Sequence, residues 1–195
     1  MILLVDHQDS FTRNLEHLLS RFDSVEVRDR LSLPASLVTS ANFIVLSPGP
    51  GTPSDYPETL EFTEKVKGKT PILGICLGFQ LLLQSEGARI VRQAQVLHGV
   101  ETEIATVPSS MTYQGLPPLL RVGRYHSLQV ENKSISELPS SIHITAHDPI
   151  RKVPVSFEDL ERKLFGLQYH PESFLTSEGS TLIKNIRHAC LDEIG

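Results

Sequence analysis

Three continuous apolar runs in the first half of the chain predict strands that are buried on both faces. The runs are Ile2-Leu3-Leu4-Val5, Phe43-Ile44-Val45-Leu46 and Ile72-Leu73-Gly74-Ile75, and polar or glycine-rich residues follow each of them. Runs of this kind are typical of parallel sheets whose faces are covered by helices. We therefore expect an α/β fold with an open, twisted, mostly parallel sheet.

Apolar residues at helical spacing predict the helices that flank this sheet. The first such segment follows the first strand, with Asp9 or Ser10 as the expected N-cap. Pro57 is suited to open another helix, because proline is tolerated in the first turn. The predicted helices cover residues 11–22, 57–66, 78–86 and 178–190, and a short strand is predicted at 25–27.

From about residue 88 the pattern changes to short alternating stretches separated by proline, serine and asparagine. Such stretches predict strands with little helix between them, so we expect antiparallel additions to the sheet in the C-terminal half. The chain of 195 residues can bury one sizeable core, and residues 1–195 are predicted to form a single domain. The expected strands lie at 100–107, 127–130, 142–146, 153–157 and 164–169.

Charge and cysteine content exclude several classes of function. Lys and Arg total 18 and Asp and Glu total 23, a net charge of −5, so no nucleic-acid partner is expected. Two cysteines without a Cys-x-x-Cys pair argue against a disulfide scaffold and a structural zinc site. His143 and His147 alternate with apolar residues on a predicted strand, so no metal site is expected there. No apolar run suits a signal peptide or a membrane span, and a cytoplasmic protein without membrane contact is predicted.

Candidate chemistry falls where the predicted strands end. In an open α/β sheet, the loops at the carboxyl ends of the strands form the site. Four polar or glycine-rich segments occupy such positions, so we expect them to be neighbours in the fold. They are residues 6–10, 47–51, 74–78 and 168–173.

Cys76 stands between two glycines at the predicted turn from a strand to a helix. A free thiol has a pKa of about 8.5, so catalysis requires a base, and His170 is the best candidate. Glu172 can hold one imidazole nitrogen while the other faces the thiol, which completes a triad by its roles. Read alone, Cys76 would more often be a core thiol, but the glycines and the His-Pro-Glu segment favour catalysis.

Acyl transfer also requires N–H donors for the tetrahedral intermediate. The amide of Leu77, directly after the cysteine, is one candidate. A second can come from Gly49 or Gly51, where the backbone can approach a substrate closely. Pro50, between them, has no N–H and can contribute only to the shape of the loop.

These segments carry a family resemblance. Gly74-Ile75-Cys76-Leu77-Gly78-Phe79-Gln80 with Gln168-Tyr169-His170-Pro171-Glu172-Ser173 resembles the triad-type, class I glutamine amidotransferase domain. Other segments resemble the small subunits of anthranilate synthase and aminodeoxychorismate synthase. Those segments are Asp6-x-x-Asp9-Ser10-Phe11-Thr12-x-Asn14-Leu15, Ser47-Pro48-Gly49-Pro50-Gly51, His98-Gly99, Arg124-Tyr125-His126-Ser127-Leu128 and Thr176-x-x-Gly179. The chain departs from these families at Phe79, where histidine is usual, and at His7, Gln8 and Arg13, where aromatic residues or asparagine are usual.

The resemblance implies that Cys76 attacks the side-chain amide of L-glutamine and that His170 transfers the proton. Gln80 and the backbone of Ser127 and Leu128 match the positions that hold glutamine in such proteins. Released ammonia is implied to pass to a separate, large chorismate-binding synthase subunit, that of anthranilate synthase first and of aminodeoxychorismate synthase second. The resemblance implies no cofactor in this chain.

Two other functions stay open at this stage. The first is a stand-alone hydrolase of γ-glutamyl peptides or a cysteine peptidase of similar fold. The segment 125–128 and the lack of a secretory signal argue against it. The second is a non-catalytic regulatory module, against which the intact Cys76, His170 and Glu172 argue.

Overall fold

The computed structural model describes residues 1–191, and the last residues of the predicted domain, 192–195, lie outside the described residues. The strands are β1 (Ile2–Asp6), β2 (Val25–Asp29), β3 (Phe43–Leu46), β4 (Ile72–Ile75), β5 (Ile90–Arg92), β6 (Val100–Thr106), β7 (Leu119–Arg124), β8 (Leu128–Val130), β9 (His143–His147), β10 (Pro154–Asp159) and β11 (Leu164–Leu167). The α-helices are α1 (Thr12–Leu19), α2 (Ala35–Ser40), α3 (Pro57–Val66), α4 (Leu77–Ser85) and α5 (Gly179–Leu191). Short 3-10 helices lie at Pro53–Asp55 and Asn132–Glu137.

The central sheet changes from parallel to antiparallel along its width. Its nine strands follow the order β2-β1-β3-β4-β11-β10-β9-β6-β7. The first five strands pair in parallel, and each pairing from β11 to β7 is antiparallel. A separate small sheet pairs β5 with β8. The expected α/β fold, with antiparallel additions in the C-terminal half, is confirmed.

Helices cover both faces of the parallel half, because successive side chains of a strand point to opposite faces. On one face, apolar side chains of β1 and β3 pack with those of α1 and α5, among them Leu4, Val45 and Ile183. On the other face, Leu3 and Ile44 pack with Leu82 of α4. Within residues 1–191, no helix is long and apolar enough to cross a membrane.

Several element boundaries differ from the predicted ones. The N-cap of α1 is Phe11 rather than Asp9 or Ser10, and Asp9 instead accepts a hydrogen bond from the Phe11 amide at 2.8 Å. The short α2 has no predicted counterpart, because it has only six residues, none of them buried, and only Leu37 and Val38 pack against the core. Two strands were also missed: β5 has three residues, and β7 carries Arg121, Gly123 and Arg124 among its apolar residues.

Candidate active site

Cys76 occupies a strained turn between β4 and α4. Its backbone has φ 52° and ψ −97°, in the left-handed half of the map that residues other than glycine rarely adopt. The residue is the N-cap of α4, where the partial positive charge of the helix N-terminus favours an anion. Strain of this kind persists only where the surrounding structure imposes it, and it clusters at functional sites.

Glycines at positions 74 and 78 are required by the packing around this turn. A Cβ atom on Gly74 would lie 2.3 Å from the carbonyl carbon of Gly78. A Cβ atom on Gly78 would lie 2.4 Å from the carbonyl oxygen of Leu46, in β3. Both distances are far below any van der Waals contact, so only glycine lets α4 pack this closely on the strands. This close packing holds Cys76 at the edge of the sheet.

His170 and Glu172 form a buried hydrogen-bonded pair just after β11. The Nδ1 atom of His170 lies 2.7 Å from Oε1 of Glu172, and the side chains are 2% and 0% exposed. The rings of Phe11 and Tyr125 pack against the imidazole with centroids 5.0 and 4.9 Å away. Among residues 1–191, Nε2 of His170 and Oε2 of Glu172 have no hydrogen-bond partner. The free Nε2 is therefore available to a reacting group.

The surroundings of His170 favour its protonated form. Burial lowers the pKa of His170, but the charges of Glu172 and Cys76 outweigh burial and raise it well above the usual range. Cys76 is close enough to the imidazole for its charge to contribute to this increase. The imidazole can therefore accept a proton readily and hold it beside the sulfur.

The loop that carries His170 is anchored at both ends. The backbone amide of His170 donates to the carbonyl of Gly123 at 3.0 Å, and Thr176 Oγ1 donates to the carbonyl of His170 at 2.7 Å. Gly179, at the start of α5, packs so closely that a Cβ there would lie 1.8 Å from the carbonyl oxygen of Pro171. This contact gives a physical reason for the Thr176-x-x-Gly179 segment.

A cavity of about 160 Å³ lies over Cys76 and brings the predicted substrate-binding residues together. All seven of them line it, and Tyr125 and His126 complete the lining with Cys76. The volume is below the range of drug-sized pockets and suits one small molecule. A larger groove of about 630 Å³ lies between α2 and α3, and none of the predicted site residues lines it. The seven residues are Gly49, Pro50, Gly51, Leu77, Gln80, Ser127 and Leu128.

Gln168 is a site residue whose role was not predicted from the sequence. It follows β11, and its Nε2 atom lies 3.7 Å from the sulfur of Cys76. Its Oε1 atom accepts a hydrogen bond from Gln80 Nε2 at 3.1 Å. The position at a strand end was a signal, but its side-chain direction depends on how β11 pairs with β4. Gln168 therefore connects Cys76 with Gln80, which both line the cavity.

A buried ion pair supports the wall formed by residues 125–128. Arg124 is completely buried, and its guanidinium donates to Asp148 at 2.5 Å and to Nε2 of His126 at 3.0 Å. Nδ1 of His126 therefore carries the hydrogen and donates to the carbonyl of Leu128 at 2.7 Å. Burial and the Arg124 charge lower the pKa of His126 to about 3. This neutral histidine fixes the peptide that lines the cavity.

Two departures from the resembled families lie in the interior. Phe79 is fully buried and packs against Phe157 with ring centroids 5.7 Å apart. His7 is 1% exposed and lies behind the loop of residues 47–51. Both substitutions therefore change internal packing, whereas Gln8 and Arg13 are exposed.

In the described part of the chain, no three histidine, cysteine or acidic residues converge to hold a metal ion.

Comparison with known proteins gives consistent matches over nearly the whole chain. Residues 3–190 match the family described as Glutamine amidotransferase class-I. "Aminodeoxychorismate synthase component 2" of Escherichia coli (strain K12) is 38% identical over 191 residues, covering 96% of this chain and 100% of that protein. "Anthranilate synthase component II" of Haloarcula marismortui is 35% identical over 188 residues, covering 95% and 96%. A solved glutamine amidotransferase from Thermotoga maritima has a TM-score of 0.74 at 18% identity, covering 98% of each chain, and so shares the fold.

Proposed function

The chain belongs to the class-I glutamine amidotransferase family, and we propose that it is the glutamine-hydrolysing subunit of a synthase that aminates chorismate. The observation that carries the proposal is the meeting of Cys76, His170 and Glu172 beside one small cavity. The relatives named as component 2 or component II support another synthase subunit as the partner.

In the proposed first step, the sulfur of Cys76 attacks the side-chain carbonyl carbon of L-glutamine. His170 takes the thiol proton through Nε2 and gives it to the departing nitrogen, which leaves as ammonia. A glutamyl thioester on Cys76 is the product. Glu172 holds the imidazole in orientation and stabilises its positive charge, in agreement with their 2.7 Å contact.

In the second step, water attacks the thioester while His170 accepts the water proton. The C–S bond breaks, L-glutamate leaves, and the thiol of Cys76 regains its proton. The sum of both steps is glutamine plus water giving glutamate plus ammonia. These steps use side chains and backbone amides alone, so the proposal includes no cofactor in this chain.

Backbone amides are proposed to stabilise the oxyanion of each step. The amide of Leu77 lies in the first turn of α4, where N–H groups have no partner within the helix. Gly49 packs against the Leu77 side chain, because a Cβ on Gly49 would lie 2.5 Å from Leu77 Cδ2. Gly49 or Gly51 supplies the second donor, and Pro50 shapes the loop between them.

Gln80, Ser127 and Leu128 are proposed to hold the amino-acid part of glutamine. All three line the cavity, and the His126–Leu128 hydrogen bond sets the orientation of the wall. A cavity of about 160 Å³ admits a single amino acid far more easily than a γ-glutamyl peptide, which argues against the stand-alone hydrolase.

The recipient of the ammonia is proposed to be the large subunit of anthranilate synthase, with aminodeoxychorismate synthase as the second candidate. The 35% identity to the Haloarcula marismortui component II supports the first candidate, and the 38% identity to the Escherichia coli component 2 supports the second. Reconstitution with each large subunit, followed by chromatography of the product from chorismate and glutamine, separates the two. The subunit that yields no glutamine-dependent product is rejected as the partner.

Replacement of Cys76 by serine tests the proposed nucleophile. We expect Cys76→Ser to abolish glutamine-supported amination by the complex, while amination from ammonium salts persists. Cys190→Ser is the matched control, because Cys190 is the other cysteine and lies in the core on α5. Glutamine-supported turnover by Cys76→Ser would show that the nucleophile is assigned wrongly.

A further inference from the structure

Two side chains that do not line the cavity hold one of its walls from behind. This wall is residues 47–51, hereafter the oxyanion loop, and the two side chains are His7 and Tyr56. We propose that His7 and Tyr56 are positioning residues that fix the oxyanion loop and so orient its backbone N–H groups toward the reacting carbonyl. The inference rests on the proposed glutaminase function and adds two positioning residues that lie outside the cavity.

His7 binds the start of the oxyanion loop twice. Its backbone amide donates to Ser47 Oγ at 2.9 Å, and its Nδ1 atom lies 3.1 Å from the same oxygen. The Ser47 hydroxyl donates its own hydrogen to the carbonyl of Pro48 at 2.7 Å, so Ser47 Oγ must accept from the ring. Nδ1 of His7 therefore carries a hydrogen, and Nε2 accepts from Thr59 Oγ1 at 3.2 Å.

This arrangement requires a neutral imidazole, and the surroundings of His7 provide for one. Burial, followed by the nearby charge of Arg30, lowers the pKa of His7 to about 4. The ring is 1% exposed and packs edge-on against Tyr56, with centroids 5.2 Å apart. At neutral pH both nitrogens consequently keep the roles that the hydroxyl groups require.

Tyr56 binds the other end of the oxyanion loop. Its hydroxyl donates to the carbonyl of Pro50 at 2.7 Å. The guanidinium of Arg30 lies over the Tyr56 ring at 4.8 Å and holds the ring in place. The loop is thus bound on both sides of Gly49, whose missing side chain leaves room for the Cβ of His7, which would lie 2.7 Å from a Cβ there.

The location of these contacts predicts which kinetic constant they affect. Neither His7 nor Tyr56 is among the residues that line the cavity, so neither touches bound substrate. The N–H groups of the oxyanion loop act most strongly when charge develops on the carbonyl oxygen, in the transition state. Displacing the loop should therefore lower kcat and leave KM for glutamine nearly unchanged.

Two substitutions of nearly equal size separate the two ring nitrogens. In His7→Asn the side-chain amide can replace Nδ1 and donate to Ser47, whereas in His7→Gln it reaches the position of Nε2 and Thr59. We expect His7→Gln to lower kcat for glutamate release about tenfold with KM within about twofold, and His7→Asn to keep kcat within about twofold. Tyr56→Phe, which removes only the hydroxyl, should lower kcat several-fold with KM unchanged.

The experiment measures glutamate release by the reconstituted complex, with circular dichroism to verify that each variant is folded. Equal kcat values for folded His7→Asn and His7→Gln would refute the positioning role of His7. A rise in KM with kcat unchanged would refute it as well. An unchanged kcat in Tyr56→Phe would refute the role of Tyr56, and this variant decides the inference if His7→Gln does not fold. Failure of the unsubstituted complex to release glutamate would instead reject the proposed function.

Discussion

Two buried histidines on different walls of the site have opposite preferences for charge. His170, beside Glu172 and Cys76, has a pKa well above the usual range, whereas burial and Arg124 lower the pKa of His126 to about 3. Their exposed fractions are similar, 2% and 5%, so burial does not distinguish them. The sign of the neighbouring charge decides which imidazole can carry a proton and which stays neutral to hold a loop.

The largest effect is expected from removing the charge beside His170. Glu172→Gln keeps the size of the side chain, and we expect kcat for glutamine hydrolysis to fall about a thousandfold, or about 4 kcal/mol. The pKa of His170, followed by NMR of its ring, should fall as well. Glu178→Gln is the control, because its carboxylate bonds to Thr181 at the start of α5. An unchanged pKa of His170 in Glu172→Gln would contradict the role given to the charge beside it.

A smaller effect is expected from breaking the ion pair behind His126. Asp148→Asn leaves the fully buried Arg124 charge without its partner, and the free energy of unfolding should fall by about 3 kcal/mol. Arg151→Gln is the matched control, because Arg151 binds the same carboxylate from a position that is 25% exposed, and it should cost less than about 1 kcal/mol. Urea unfolding measures both. Equal losses would show that the buried Arg124–Asp148 pair contributes no more stability than the partly exposed Arg151–Asp148 pair.

Acidification should reveal the two histidines with lowered pKa values. A folded-state pKa below the unfolded value means that the unfolded chain binds more protons, so stability falls as pH drops from 7 to 5. Protonation linked to His126 should lower the free energy of unfolding by about 2 kcal/mol over this interval. His7, with a pKa of about 4, should lower it by a similar amount. His170 has the opposite sign: its contribution is fully present below the ordinary histidine pKa and is lost as pH rises through its folded-state value.

Urea unfolding at pH 5 and pH 7 measures this dependence. His126→Asn should remove about 2 kcal/mol of it, since asparagine can still donate to the carbonyl of Leu128 and does not titrate. His143→Asn, at an exposed position of β9, is the control and should leave the dependence unchanged. If the pH dependence of the free energy of unfolding is the same in His126→Asn, the lowered pKa of His126 is contradicted.

The smallest effect is expected from removing the hydroxyl of Tyr125, whose ring packs on His170. Tyr125→Phe removes the hydroxyl that lies 3.0 Å from Ser173 Oγ but keeps the ring edge against the imidazole. The free energy of unfolding should fall by about 1 kcal/mol, and kcat should fall by less than about twofold. A tenfold loss of kcat would show that the hydroxyl, and not the ring, supports His170.

The parallel half of the fold and the segments around Cys76 could be predicted because their signals are local. Buried strands are continuous apolar runs, the glycines flank the cysteine, and His170 and Glu172 are two residues apart. Parallel topology then brings strand ends together. The roles given to these residues stay predictions until the substitutions are made.

The support behind the site could not be predicted, because it depends on long-range pairing. Arg124 and Asp148 are 24 residues apart, and β6 lies between β7, which ends at Arg124, and β9, which ends just before Asp148, so their contact depends on the order of three strands. Gln168 and His7 are polar residues at strand ends, and their partners are set by register and loop packing. Arg124, at the end of a strand with three apolar residues, was an available signal, since a buried cation requires an acid.

The backbone at Cys76 also restricts how this protein can evolve. A φ of 52° is costly for side chains branched at Cβ, so threonine is barred at this turn although it serves as a nucleophile elsewhere. Glycine adopts the same φ without strain, so Cys76→Gly would relieve backbone strain of about 1–3 kcal/mol, lose the packing of a buried side chain and end catalysis. The strained backbone is thus tolerated where the thiol is used, and retention of cysteine in a lineage would record continued use of the thiol.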